Sequence, residues 1–194
     1  TSNCQKVDGI LFTHEHADHT AGLDDIRPFY FKQGDIPVFA HKRVLENLTK
    51  RFDYIFEKEN KYPGAPSVEI NEVLNGKSFL IGDKMVVPID VMHGNLQVFG
   101  YRIDDFVYLT DVKTISENEI EKLKGVKVLV VNALRIEPHD THFNLDEALR
   151  FIEIIKPERT YLTHISHIFG FHEEIEKTLP KNVFLAYDNL EITI

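Results

Sequence analysis

Tryptophan is absent and cysteine occurs once, as Cys4, so no intrachain disulfide can staple the chain. No apolar run approaches the roughly 18 residues that a membrane-spanning helix needs, and no signal-peptide pattern opens the sequence. These absences exclude a disulfide scaffold and a membrane partner, and they make a reducing cytoplasm the expected location. Basic charge is also scarce. With 22 Lys+Arg against 31 Asp+Glu the formal charge is −9, which repels a polyanion and disfavours large nucleic acids as partners. What remains is ordinary globular material. At 194 residues the chain is long enough for one well-buried core and short for two, so a single domain over 1–194 is expected.

The chemistry concentrates in Thr13-His14-Glu15-His16-Ala17-Asp18-His19. Neutral imidazole nitrogens and carboxylate oxygens are what a borderline divalent ion such as zinc accepts. In an extended or turning segment, residues two apart point the same way. His14 and His16 can therefore grip one ion while Asp18 and His19, past the turn, reach a second. The apolar run before them, from Val7 to Thr13, predicts a short strand that places the cluster at a strand's C-terminal end, where α/β proteins carry their sites. His14-x-His16-x-Asp18-His19 after an apolar strand resembles the signature of the metallo-β-lactamase-fold hydrolases. The resemblance implies an α/β four-layer αββα sandwich, with the first strands of that fold lying before this chain begins.

Helical spacing and turn residues divide the rest of the chain. A short helix is predicted over 20–27, ended by Pro28, then a strand over 36–40 and an amphipathic helix over 41–56 carrying Val44, Leu45, Leu48, Phe52 and Ile55 on one face. The aromatics Phe52, Tyr54, Phe56 and Tyr62 suit core packing, with a wall over the site or a homodimer contact as alternatives. From Ser67 the pattern becomes a meander of short strands, including a hairpin turning at Asp104-Asp105. Ser116-x-x-Glu119 predicts a capping box for a helix reaching Lys124. The continuous apolar run 127–131 predicts a strand covered on both faces. Asn144, with Glu147 three residues on, opens a helix that Pro157 stops, and a last helix is predicted over 171–179.

Three places repeat one design: an apolar strand, a threonine, then a metal-competent residue, at Thr13-His14, Thr110-Asp111 and Thr163-His164. His93, leaving a strand into Gly94, reads by itself as a solvated turn residue; the resemblance makes it a third ligand of the first ion. The resemblance thus implies His14, His16 and His93 on one ion, Asp18, His19 and His164 on the other, and Asp111 between them. Two such ions, zinc or manganese, would share a bridging hydroxide. Two divalent cations, two aspartates and one hydroxide leave one net positive charge, matched to a phosphodiester.

Thr141-His142 and the ending Ala186-Tyr187-Asp188-Asn189 narrow the resemblance to the cyclic-phosphodiesterase branch, the PhnP-like enzymes. Asn189 stands where that branch has glycine, and asparagine tolerates the positive φ such a turn needs. Carried over, the catalytic residues are His142, as phosphate ligand and general acid, with Asp18 and Asp111; His139 and His167 are lesser candidates for the acid. The implied substrate is a small, cyclic ribose phosphodiester. A glyoxalase-II-like thioesterase and a ribonuclease Z-like nuclease are the rival enzymes, and a scaffold that only binds is the rival non-enzyme. The −9 charge and the lack of a basic arm predict a higher kcat/KM on a cyclic ribose phosphate than on a tRNA precursor. Comparable values on the two would overturn the small-substrate expectation.

Overall fold

The computed structural model describes residues 4–194, which form two compact units divided between Asp83 and Lys84. In the first unit, β1 (Ile10–Leu11), β2 (Ile36–Ala40) and β3 (Val68–Glu72) make an all-parallel sheet in the order β1-β2-β3. The predicted strand before the histidine cluster is thus only two residues long. α1 (Ala17–Thr20) and a 3-10 turn (Ala21–Ile26) follow it, then α2 (Arg27–Gln33). Pro28 does not end a helix as expected. It sits in the first turn of α2, where the missing N–H has no intrahelical role and the fixed φ suits the helix.

The amphipathic stretch after β2 splits into α3 (Lys42–Arg51) and α4 (Asp53–Phe56) at Phe52, whose φ of −120° and ψ of 44° are not helical. Val44, Leu45 and Leu48 of α3 pack with Ile36, Val38 and Ala40 of β2 in the unit's core. Phe52 and Ile55 are buried in that core, whereas Tyr62 is 71% exposed, so the aromatic group divides between packing and surface. β4 (Phe79–Ile81) completes the unit, with Phe79 stacked on Phe39 at 5.0 Å.

The second unit is a mixed sheet. β5 (Lys84–His93), β6 (Leu96–Ile103) and β7 (Phe106–Tyr108) run antiparallel in turn, joined between β6 and β7 by the expected Asp104-Asp105 turn, with Asp104 at φ 52°. β8 (Thr114–Ile115) pairs antiparallel with β5, and α5 (Glu117–Glu121) follows. β9 (Val128–Asn132), buried along its whole length, pairs parallel with β7 and with β10 (Arg159–Thr163). α6 (Leu145–Ile155) crosses between β9 and β10, and α7 (His172–Glu176) leads to β11 (Val183–Leu185), parallel to β10.

The Ser116 capping box does not form: Ser116 makes no side-chain cap, and Glu119 instead accepts from the Asp90 N–H and from Lys122. A buried acceptor for a strand N–H wins over a helix end that water can satisfy. The Asn144 box does form, with Asn144 accepting from Glu147 N–H at 3.0 Å and Glu147 accepting from Asn144 N–H at 3.0 Å. Lys156, left-handed at φ 55°, ends α6 directly before Pro157.

Burial pushes the Glu147 carboxyl upward, but hydrogen bonds from Lys113 and the Asn144 N–H, with the charges of Lys113 and Arg150, outweigh it and hold the group below the usual carboxylate range. A carboxylate depressed on folding contributes stability that is present above its unfolded value and is lost as pH falls through the folded one. Glu147→Gln, which keeps the box geometry, should therefore lower Tm at pH 7. The gap from wild type should close as pH is taken from about 5 to 3, measured by thermal melts across that range.

Candidate metal centre

Strand direction decides where the second unit gathers its donors. β5, β7, β9 and β10 point the same way, because two antiparallel steps carry β5 through β6 to β7 and every later step is parallel. Their C-terminal ends lie along one edge, and from that edge come His93 at the end of β5, Asp111 after β7, His142 in the segment after β9, and His164 after β10. Asp111 and His164 both adopt left-handed backbone, φ 56° for each. For a residue other than glycine that conformation costs roughly 1–2 kcal/mol and is held by its surroundings.

Asp111 is the convergence point and is 2% exposed. Its Oδ2 lies 3.3 Å from His142 Nε2 and 3.9 Å from His93 Nε2, while its Oδ1 lies 3.4 Å from His164 Nδ1 and accepts from the Thr110 hydroxyl at 2.6 Å. The His93 ring is turned by Nδ1, which donates to the Thr141 carbonyl at 2.7 Å and leaves Nε2 facing Asp111. The His142 ring stacks on His164 at 5.1 Å and meets His93 edge-on at 4.4 Å. His139 stands behind it; burial, the charge of His142 and the charge of Arg135 hold the His139 imidazole below its ordinary value.

The first unit carries the other four predicted residues. His14 is fully buried, its Nδ1 3.0 Å from the Thr13 hydroxyl and its Nε2 2.9 Å from His16 Nδ1. His16 leads into α1, whose first turn carries Asp18 and His19; His19 Nε2 is 3.2 Å from Asp18 Oδ2, and its ring lies 4.3 Å from that of His14. Two arginines of α3 brace this loop. Arg43 donates to the Glu15 carboxylate at 2.8 Å, and Arg51 donates to the Thr20 hydroxyl at 2.6 Å and the Glu15 carbonyl at 3.1 Å.

These donor sets fit a metal. Two nitrogens on one zinc-like ion at 2.0–2.1 Å and tetrahedral angles stand about 3.3 Å apart, close to the 2.9 Å between His14 Nε2 and His16 Nδ1. In the second unit, His93, Asp111 and His142 bring three donor atoms within 4.8 Å of one another. A nearly inaccessible carboxylate ringed by imidazole nitrogens is the donor chemistry of a divalent transition-metal site.

Residues 1–165 match the family model described as the beta-lactamase superfamily domain. The chain belongs to the metallo-β-lactamase superfamily. It has the α/β fold of that superfamily, with a parallel sheet in the first unit, a mixed sheet in the second and a His/Asp cluster suited to a metal. A crystal structure described as a new diphosphatase from the PhnP family is 35% identical, with a TM-score of 0.87 over 98% of this chain and 72% of that one. An octanoyltransferase of Porphyromonas gingivalis is 38% identical over 189 residues; the match takes in 97% of this chain and 38% of that protein. Zinc-bound PqqB from Methylobacterium extorquens shares the fold at 14% identity, with a TM-score of 0.76 over 96% of this chain and 73% of that one.

Arg43, Arg51 and Asn132 are absent from the sequence-based list. Arg43 and Arg51 leave no signal, since surface helices commonly carry arginine. Asn132 leaves one: it is an amide ending an otherwise apolar, fully buried strand. Its side chain accepts from Val112 N–H at 2.7 Å and donates to Val112 O at 3.2 Å, clamping the turn that presents Asp111. Val112 O also accepts from Phe143 N–H at 2.6 Å, which ties the His142 segment to the same point. Asn132→Leu would strand a buried N–H and weaken the hold on the carbonyl, at about 1–3 kcal/mol for each unsatisfied group. Chemical denaturation should show that loss together with reduced metal retention; full stability with full retention would remove Asn132 from the role.

Proposed function

We propose that this chain is a dinuclear metal-dependent phosphodiesterase whose substrate is a small, cyclic ribose phosphodiester. The observation that carries the reading is the carboxylate of Asp111, whose two oxygens face different imidazoles, Oδ2 toward His93 and His142 and Oδ1 toward His164. A carboxylate shared in this way suits a bridging ligand. His14, His16 and His93 would hold one ion, Asp18, His19 and His164 the other, an assignment supported by the order of these residues along a chain of this superfamily. When bound, two divalent ions supply a lowered water pKa near neutrality and charge stabilisation at phosphorus. Zinc and manganese both suit the donors.

The protein's own groups do the rest. His142 is buried, its Nε2 facing Asp111, and it precedes by two residues the N-cap of α6, a helix of 11 residues whose N-terminus favours an anion. It is placed to bind a phosphate oxygen and to deliver a proton to a ribose alkoxide, which leaves poorly without one. The PhnP-family description of the 35% identical diphosphatase supports phosphoryl chemistry. The name of the Porphyromonas gingivalis octanoyltransferase, of which the chain spans 38%, favours acyl chemistry as the second reading, in line with a thioesterase.

One experiment separates these readings. Protein freed of metal and offered zinc or manganese should bind about two ions per chain through the seven named ligands, and Asp111→Ala should bind markedly less. The loaded enzyme should turn over a cyclic ribose phosphate far faster than an octanoyl thioester or a tRNA precursor. His142→Ala should keep its metal, lose on the order of 10²-fold on the cyclic phosphate, and lose much less on bis(p-nitrophenyl) phosphate, whose leaving group needs no proton. Absence of metal binding would sink the reading, and faster thioester turnover would replace it with the acyl one.

A further inference from the structure

We propose that His139 is a positioning residue which, with Thr141, clasps the His142 ring in the orientation its acid role requires; the proposal rests on the reading of His142 above. The backbone N–H of Thr141 donates to His139 Nδ1 at 3.2 Å, so that nitrogen presents a lone pair. His142 Nδ1 lies 3.2 Å from the same nitrogen and 3.0 Å from the Thr141 hydroxyl. Two ring nitrogens share a hydrogen bond only if one brings the proton. With His139 Nδ1 accepting from Thr141 N–H, a hydrogen bond between the two rings requires His142 Nδ1 as its donor.

The opposite nitrogen of the ring, Nε2, faces the Asp111 carboxylate at 3.3 Å. Both ring nitrogens are thus engaged, Nδ1 by the clasp and Nε2 by Asp111. A half-turn of the ring would put carbon atoms at both contacts, so the clasp fixes orientation as well. The clasp is itself anchored: the Thr141 carbonyl accepts from His93 Nδ1. A Cβ at residue 94 would stand 2.9 Å from Thr141 Cγ2, so Gly94, at φ 59°, lets the two segments meet. His139 thus stands behind the acid and outside the acid's own role.

His139→Ala removes the acceptor, whereas His139→Asn puts an amide oxygen where Nδ1 stands and preserves acceptance from the N–H two residues on. In the metal-loaded protein, His139→Ala should keep its metal and lose about 10-fold or more on the cyclic ribose phosphate, with little change on bis(p-nitrophenyl) phosphate. His139→Asn should recover most of the loss. In the metal-free protein, ¹H–¹⁵N spectra should show an exchange-protected imidazole N–H, assigned to His142 by its disappearance in His142→Ala. It should persist in His139→Asn and vanish in His139→Ala. Wild-type behaviour of His139→Ala in both readouts would overturn the clasp, as would equal losses on the two substrates without rescue by asparagine. If the wild type hydrolyses neither phosphoester, the phosphodiesterase reading fails while the spectra still decide the clasp.

Discussion

The second unit depends on holding a carboxylate where neither water nor an ordinary backbone would put it. Asp111 is nearly inaccessible, its backbone is left-handed, and three imidazoles press on its two oxygens. Each feature is unfavourable alone. An inaccessible carboxylate needs compensating donors or a cation, and a left-handed residue needs neighbours that over-determine it. Those neighbours are present: Asn132 clamps Val112 on one side, the Thr110 hydroxyl bonds Oδ1 on the other, and Lys113 N–H donates to Met92 O in the strand that ends in His93.

The same logic runs through the histidines. A ring with two nitrogens is useful to a metal or a proton only if one nitrogen is fixed so that the other is aimed. His93 is fixed by the Thr141 carbonyl, His14 by the Thr13 hydroxyl, and His142 by Thr141 with His139. Threonine before a site residue has a physical function at three places, of which Thr13 and Thr110 belong to the strand-threonine pattern of the sequence and Thr141 does not. At Thr13, Thr110 and Thr141 the hydroxyl bonds the side chain that follows it. At Thr163-His164 the pattern persists, and there His164 is presented by its left-handed turn.

Two local expectations give way in the structure, one to a different local rule and one to a nonlocal partner. Helix interiors reject proline, which predicts a helix stop at Pro28, yet Pro28 lies in the first turn of α2, where proline is welcome. Ser116 and Glu119 have the residues of a capping box, but the buried N–H of Asp90 is the costlier group to leave unmet and takes Glu119. Asn144 and Glu147 pair as expected, Glu147 meeting Asn144 N–H with one oxygen and Lys113 with the other. Asn189 adopts φ 65°, the left-handed conformation that asparagine tolerates.

The sequence by itself determined the donor types, their order, and their attachment to strand ends, because ligand chemistry is a property of side chains and strand ends are marked locally by apolar runs and turn residues. It also determined the helix that brings its N-terminus up behind His142. Only the tertiary structure decided which donors face which. The alignment of β5, β7, β9 and β10 on one edge is a consequence of strand order, which no local pattern encodes. The bracing by Arg43, Arg51 and Asn132, and the clasp of His139 and Thr141 on His142, depend on distances of about 3 Å set by packing. Hydrogen bonds are specific at that range alone, so a one-dimensional pattern can name the candidates while the fold chooses their partners.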